Sequence, residues 1–172
     1  SYKIRSDADK RWNLPDEIPN QIDFTRTFTN VQGNAYFSAK WFINQNQDVA
    51  QMLMENQYKY PALPLAVPNL KKIVIDVPKI NSVKNLDDSF LLNIKYPLNS
   101  KVRYVVVYCA KNKAQIDVND PSQIIDKIAF KEKSDAITIT LPKYKLDTNT
   151  TCEITFIDFY GNESIGSIID LQ

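Results

Sequence analysis

Few side chains in this 172-residue sequence could do chemistry, because it contains no histidine. That absence excludes the commonest general base, the usual zinc ligand, and the Ser-His and Cys-His nucleophile pairs. The sequence has only three glycines, Gly33, Gly161 and Gly166, which excludes a glycine-rich loop around a phosphate. The sequence therefore predicts no catalytic residues, no metal site and no cofactor.

The two cysteines, Cys109 and Cys152, are far apart in the sequence and neither belongs to a CxxC motif. This spacing does not suit a metal site. A disulfide and a pair of buried thiols are both compatible with the sequence. We expect free thiols, because unpaired cysteine is often buried as a small apolar residue.

Two other groups of side chains could bind a ligand, and for both we expect a structural role instead. Asp117, Asn119 and Asp120 offer oxygen ligands at a spacing that suits Ca²⁺, but they also suit a solvated turn. Several of the nine tyrosines could form a platform for a sugar, but sheet and interdomain packing would also explain them. These tyrosines are Tyr58, Tyr60, Tyr96, Tyr104, Tyr108, Tyr144 and Tyr160.

The charges are nearly balanced, which limits the kinds of partner. With 21 basic and 20 acidic residues, the net charge is +1. This balance disfavours a nucleic-acid-binding surface and a polybasic membrane patch. The longest apolar runs, such as 105–107, are far too short to cross a bilayer. We therefore expect no nucleic-acid partner and no membrane span.

Residues 33–61 indicate the fold of the first part of the chain. They read as a short aromatic strand at 34–38, a tight turn, and an amphipathic helix that ends before Pro61. A weaker strand and helix precede them, within residues 2–27. This alternation predicts a small α/β segment of two βα units over residues 1–65.

After three prolines within residues 61–68, the pattern changes to short strands separated by turns. Their number and alternation predict an immunoglobulin-like sandwich over 66–172, with its core in 79–171. The strand at 102–110 is apolar on both faces, so we expect it to be central or to have a covered outer face. The predicted strands are 80–84, 89–96, 102–110, 124–130, 136–141, 152–158 and 164–171.

Two stretches of this predicted sandwich resemble the fibronectin type III variety. Residues 146–152 occupy the corner where that family has an LxPxTxY pattern, and DFYGNES at 158–164 resembles its DxxGNES hairpin. Cys152 stands in place of the corner tyrosine, and Thr148 in place of the proline. The resemblance implies a fold, and sandwiches of this kind have many functions.

The first 65 residues resemble the end of the catalytic barrel in glycoside-hydrolase-like family 10 proteins of gut Bacteroidetes. YFSAK at 36–40 matches a strand exit of that family, and YKYPAL at 58–63 resembles its following helix end. Residues 17–26 resemble the preceding helix. The resemblance implies the last two βα units of a (β/α)₈ barrel, with the rest of the barrel upstream.

In such barrels, substrate-binding groups lie at the carboxyl ends of the strands. The resemblance implies that Trp12 or Trp41 stacks on a sugar and that Ser38 or Lys40 forms hydrogen bonds to it. For each of the four, core packing or a solvated position is the alternative. The two aspartates of loop 6–10 do not form the facing carboxyl pair that a glycosidase needs. That pair would lie upstream.

We therefore expect a non-catalytic C-terminal portion of a glycoside hydrolase, whose accessory sandwich packs on the barrel and stabilises it. The alternative is a carbohydrate- or protein-binding adhesion module, and a free-standing enzyme is disfavoured. The expected partners are the upstream barrel, a glycan, and a second copy of the chain that covers exposed strand edges. The resemblance implies the periplasm or cell surface, although the sequence shows no signal peptide.

Overall fold

The computed structural model describes residues 14–31, 33–36, 43, 47–67, 70, 74–95, 101–130, 136–148 and 150–171. The chain divides into two compact units, Ser1–Lys59 and Tyr60–Gln172. Within the described residues it has two α-helices, seven strands and three short 3₁₀ helices. The protein is therefore mainly β.

Two helices form the described part of the first unit: α1 (Glu17–Arg26) and α2 (Gln47–Glu55). Their buried side chains form one small apolar cluster, consisting of Ile18, Ile22, Val49 and Leu53. The two members from each helix lie four residues apart, which places them on one helical face. Both predicted helices are therefore confirmed.

The strand predicted at 34–38 is not formed in its described part. Residues 34–36 are not in a strand. A strand needs a neighbouring strand with which to exchange hydrogen bonds, and no strand of the first unit is among the described residues. Residues 37–38 and the strand expected near 2–5 lie outside those residues.

Seven antiparallel strands form two sheets in the second unit. One sheet has the order β1-β2-β5 and the other has the order β4-β3-β6-β7. The strands are β1 (Lys79–Asn85), β2 (Ser89–Lys95), β3 (Val102–Ala110), β4 (Ile124–Ala129), β5 (Ala136–Pro142), β6 (Thr150–Asp158) and β7 (Ser167–Leu171). The predicted immunoglobulin-like sandwich is confirmed.

The apolar core lies between the two sheets. Its residues recur at alternate positions, because successive side chains of a strand point to opposite faces. The fully buried members are Leu92, Ile94, Val105, Val107, Ile139, Leu141, Cys152, Ile154 and Phe156. Their burial is the main source of the sandwich's stability.

The outer face of the four-stranded sheet carries a second apolar cluster. Val106, Tyr108, Ile124 and Ile157 are buried there. Partly buried side chains cover them from the segment before the sandwich and from the loop after β3, namely Leu63, Ile116 and Val118. The expected cover over the outer face of residues 102–110 is therefore confirmed.

Cys109 and Cys152 form a disulfide, so the expectation of two free thiols was wrong. The two residues lie directly opposite each other in the pairing of β3 with β6. Their Cα atoms are 4.1 Å apart, below the roughly 5.5 Å of a hydrogen-bonded antiparallel pair. This close approach brings the two side chains together on one face of the sheet.

Candidate functional site

The four residues predicted to bind a sugar are Trp12, Ser38, Lys40 and Trp41. All four lie outside the described residues. Their role therefore stays a prediction. The described residue that directly precedes the stretch containing three of them is Tyr36.

Tyr36 belongs to a cluster of two tyrosines and one arginine in the first unit. Its hydroxyl oxygen lies 2.9 Å from that of Tyr58. The guanidinium carbon of Arg26 lies 5.6 Å from the centre of the Tyr58 ring. Both tyrosines are exposed. The cluster therefore presents an aromatic face beside hydroxyl groups and a cation, a combination that can bind a polar ligand.

The turn after α2 fixes this cluster. The backbone N–H of Tyr58 donates to the carbonyl of Leu53 at 2.7 Å and closes the helix end. Arg26 Nη2 donates to the carbonyl of Gln57 at 2.6 Å. Gln57 Nε2 donates to Asp23 Oδ2 at 3.0 Å. These bonds hold the turn against α1 and fix the position of the Tyr58 ring.

Tyr36 acts in this cluster as a neutral hydroxyl. Partial burial of its hydroxyl raises the pKa of Tyr36 far above its ordinary value, and the hydrogen bond with Tyr58 raises it further. A phenol with a raised pKa is a poor base and a poor nucleophile at neutral pH. The cluster is therefore suited to hydrogen bonding and stacking.

A second aromatic cluster lies at one end of the four-stranded sheet. Arg103 Cζ lies 5.2 Å from the centre of the Tyr104 ring and 5.9 Å from that of Phe159. Lys127 Nζ lies 5.5 Å from the Tyr104 ring centre. Lys101 Nζ lies 6.0 Å from the centre of the Tyr160 ring. We call this cluster the cation–aromatic surface. It comprises Lys101, Arg103, Tyr104, Lys127, Phe159 and Tyr160.

A β-bulge places Arg103 on this surface. Val102 pairs with Asp158 and Tyr104 pairs with Ile157, so Arg103 is the extra residue on β3. In a regular strand, the side chains of residues 103 and 104 would point to opposite faces. A bulge turns the extra side chain out of that alternation. Sequence reasoning missed this surface because alternation carries no signal for a bulge.

The hairpin that carries Phe159 is held by the carboxylate of Asp158, which is 1% exposed. Asp158 Oδ1 accepts hydrogen bonds from the backbone N–H groups of Tyr160 at 2.8 Å and Asn162 at 2.9 Å. Asp158 Oδ2 accepts one from Asn162 Nδ2 at 3.0 Å. Gly161 has a φ of +79°, a conformation in this turn that favours glycine.

Tyr108 is a structural residue on the outer face of the same sheet. It is fully buried, and its hydroxyl donates to Glu163 Oε1 at 2.8 Å. Thr155 Oγ1 donates to the same oxygen at 2.5 Å. Burial raises the pKa of Tyr108, and the hydrogen bond to the Glu163 carboxylate raises it further. This hydroxyl is occupied and is not available to a ligand.

The other tyrosines of the proposed sugar platform differ in exposure. Tyr104 packs against the outer apolar cluster, as expected. Tyr144 is 83% exposed, which is not the packing expected for it. Its exposure follows from its place in a short 3₁₀ helix, Lys143–Lys145, none of whose residues is buried. Tyr96 lies outside the described residues.

The loop after β3 uses its carboxylates to stabilise turns. Asp117 Oδ1 accepts hydrogen bonds from the N–H of Asn119 at 2.9 Å and from its Nδ2 at 3.1 Å. Asp120 Oδ1 accepts one from the N–H of Ser122 at 2.9 Å, and hydrogen bonding to Ser122 lowers the pKa of Asp120. Within the described ranges, no three Asp, Glu, Cys or His side chains are grouped to hold a metal ion.

The described sheets define an immunoglobulin-like β-sandwich, a class of fold that has many unrelated functions. Comparison of the sequence with protein-family models finds no matching family, and comparison with curated proteins finds no match. Neither helix in the described part of the chain has the length and apolar character needed to cross a membrane.

Proposed function

We propose that this chain is the C-terminal portion of a carbohydrate-active, glycoside-hydrolase-like protein. In this proposal, a fibronectin type III-like sandwich is a structural accessory domain that stabilises the catalytic barrel. The barrel rests on the resemblance of residues 1–65 to glycoside-hydrolase-like family 10 proteins. The helices α1 and α2 are compatible with it, because α1 spans the stretch 17–26 that resembles one helix of that family and α2 lies between the matched strand exit at 36–40 and the matched helix end at 58–63.

The strand order supports the fibronectin type III-like variety of sandwich. In constant-type immunoglobulin domains, the fourth strand belongs to the sheet of the first, second and fifth strands. Here β4 pairs with β3 in the other sheet. At the corner before β6, Thr150 Oγ1 donates to the carbonyl of Asp147 at 2.5 Å. This hydrogen bond links a side-chain hydroxyl to the backbone at the corner. Cys152, which stands where the fibronectin type III pattern has its corner tyrosine, forms the disulfide instead.

The observation that carries the accessory role is that the segment leading into the sandwich is part of its structure. Leu63 packs in the outer apolar cluster. Lys127 Nζ donates to the carbonyl of Ala62 at 2.7 Å. The N–H of Val67 donates to the carbonyl of Tyr160 at 2.9 Å. Because the segment is fixed to the sandwich at three points, it is not a flexible linker. A fixed connection is typical of a domain that supports the domain before it, whereas an independent binding module is often joined by a flexible linker.

The disulfide supports the proposed location in the periplasm or at the cell surface. Stable disulfides form in oxidising compartments and are rare in the cytosol. Cys109 and Cys152 are joined across two central strands of the sandwich. We expect thiol labelling of the native protein without reductant to find both cysteines oxidised.

The native gene product tests the proposal. A barrel of ordinary size has about 250 residues in total, and residues 1–65 would supply only its last two βα units, so the native protein should be much longer than 172 residues. In the full-length protein, Leu63→Ser should lower the unfolding temperature of the barrel as well as that of the sandwich. Tyr144→Ser, at an exposed position, is the matched control. A native product of this length alone, or a barrel that is indifferent to Leu63→Ser, would contradict the accessory role.

The alternative function is a binding module, in which the sandwich itself holds a glycan or a protein. The cation–aromatic surface favours it, because exposed aromatic rings beside cations are typical of recognition surfaces. A glycan array probed with the 172-residue chain separates the two functions. Saturable binding favours the module, whereas a purely structural domain gives none.

A further inference from the structure

We propose that the cation–aromatic surface binds an acidic polysaccharide. A sugar ring would stack on Phe159, and carboxylate or sulfate groups would bind Arg103 and Lys101. The preference for an anion rests on the surface alone. The choice of a carbohydrate over an acidic peptide rests on the alternative function, in which the sandwich itself holds a glycan, and the experiment below separates the two.

The positive charges of this surface are not neutralised within the part of the chain that the structure describes. Arg103 and Lys101 contact aromatic rings there, and neither forms an ion pair with a described acidic residue. The adjacent carboxylate of Asp158 is buried, and three hydrogen bonds within the hairpin occupy it. The same hairpin carries a second carboxylate, Glu163, which accepts hydrogen bonds from Tyr108 and Thr155. Among the described residues, the three cations of the surface outnumber these two carboxylates, although the net charge of the chain is only +1.

The guanidinium group of Arg103 is held in position before any ligand arrives. The rings of Tyr104 and Phe159 both lie within 6 Å of it, at 5.2 and 5.9 Å. No described residue accepts a hydrogen bond from its N–H groups. A planar guanidinium whose donors are not taken up by described residues matches a carboxylate or sulfate through two parallel hydrogen bonds. Holding the group in place lowers the entropic cost of binding.

Phe159 provides the apolar part of the surface. Its side chain is 60% exposed, although the hairpin that carries it is fixed by Asp158 and by its backbone N–H, which donates to the carbonyl of Lys101 at 3.2 Å. A large ring held rigidly in water is a common anchor for a ligand. Its position beside Arg103 allows one ligand to contact a ring and a cation together.

The small number of cations indicates a short segment of polymer as the ligand. The surface has three cations, Lys101, Arg103 and Lys127, and the last of these already donates to the carbonyl of Ala62. A duplex nucleic acid or an anionic membrane needs a longer basic surface for useful affinity at physiological salt. Two or three charged sugar units can be matched by these groups.

Binding of the 172-residue chain to polygalacturonate, measured by affinity electrophoresis and calorimetry, tests the proposal. We expect saturable binding that weakens as salt is raised. Arg103→Gln should weaken it by about tenfold, the loss expected for one charge-assisted contact. Phe159→Ala should weaken it by about threefold or more. Lys84→Gln removes the same charge from an exposed position on β1 and should leave binding unchanged.

Three outcomes overturn the proposal. The first is no binding to polygalacturonate. The second is binding that is unaffected by both surface variants, with circular dichroism verifying that each variant is folded. The third is equally tight binding to polyglutamate that depends on Arg103 but not on Phe159, which would indicate a surface for acidic peptides. A short native gene product would refute the accessory role without affecting any of these measurements.

Discussion

Gly161 lies against the backbone of Leu65 so closely that a Cβ atom on it would be 2.3 Å from the carbonyl oxygen of Leu65. The glycine also has a φ of +79°, which a side chain disfavours. The hairpin between β6 and β7 therefore contacts the segment that enters the sandwich backbone to backbone. Only glycine allows this contact.

Gly161→Ala should lower the free energy of unfolding by about 2 kcal/mol or more, because strain in the left-handed region adds to the clash. Urea unfolding followed by circular dichroism measures the loss. Gly166→Ala is the comparison, because its added Cβ would meet the side chain of Glu153 and no backbone atom, so a smaller loss is expected. Equal losses for the two variants would contradict the predicted backbone clash.

Removing the disulfide should destabilise the sandwich. The two cysteines are 43 positions apart, and closing a loop of this size is worth about 2 to 4 kcal/mol through the entropy of the unfolded chain. The double variant Cys109→Ala/Cys152→Ala should unfold at lower urea than the oxidised protein. Reductant should shift the wild type towards the variant and leave the variant unchanged. A wild type that is insensitive to reductant would refute the prediction.

The buried Tyr108 should make stability fall at alkaline pH. Its folded-state pKa is raised, so its contribution is fully present below the unfolded value of about 10 and is lost as the pH rises above it. Tyr108→Phe, which cannot ionise at this position, should lose less stability between pH 9 and about 11. Urea midpoints of both proteins across this range measure the difference. Parallel pH profiles would exclude a role for this hydroxyl.

Asp158 should be essential to the hairpin that carries Phe159. Asp158→Ala leaves two backbone N–H groups and one amide without their acceptor and should cost about 3 kcal/mol. Asp158→Asn keeps an oxygen for the backbone groups but places its amide nitrogen against Asn162 Nδ2, so a smaller loss is expected. Thermal unfolding of both variants gives the order. A larger loss of stability for Asp158→Asn than for Asp158→Ala would contradict the hydrogen bonds assigned to this carboxylate.

The sequence was sufficient to predict the sandwich, because short strands recur at regular intervals, strands such as 89–96 place apolar residues at alternate positions, and the turns between the strands use Gly, Pro, Asn and Asp. It was not sufficient to predict the disulfide, which depends on the register between β3 and β6. Register is fixed by the whole sheet and by its bulges, and one extra residue on β3 also moved Arg103 onto the cation–aromatic surface. For residues 34–38, the sequence predicted a strand that the described residues 34–36 do not form. Local strand propensity favours an extended backbone but does not supply the neighbouring strand that it must pair with.

The segment at residues 60–67 has a practical consequence for anyone who isolates the sandwich. A fragment that begins after Leu65 would lose the side chain of Leu63 and the carbonyl that accepts from Lys127. Val106 and Ile157 would then face water beside the buried phenol of Tyr108. Such a fragment should bind hydrophobic dyes and tend to aggregate, whereas one that begins at Tyr60 keeps this surface covered.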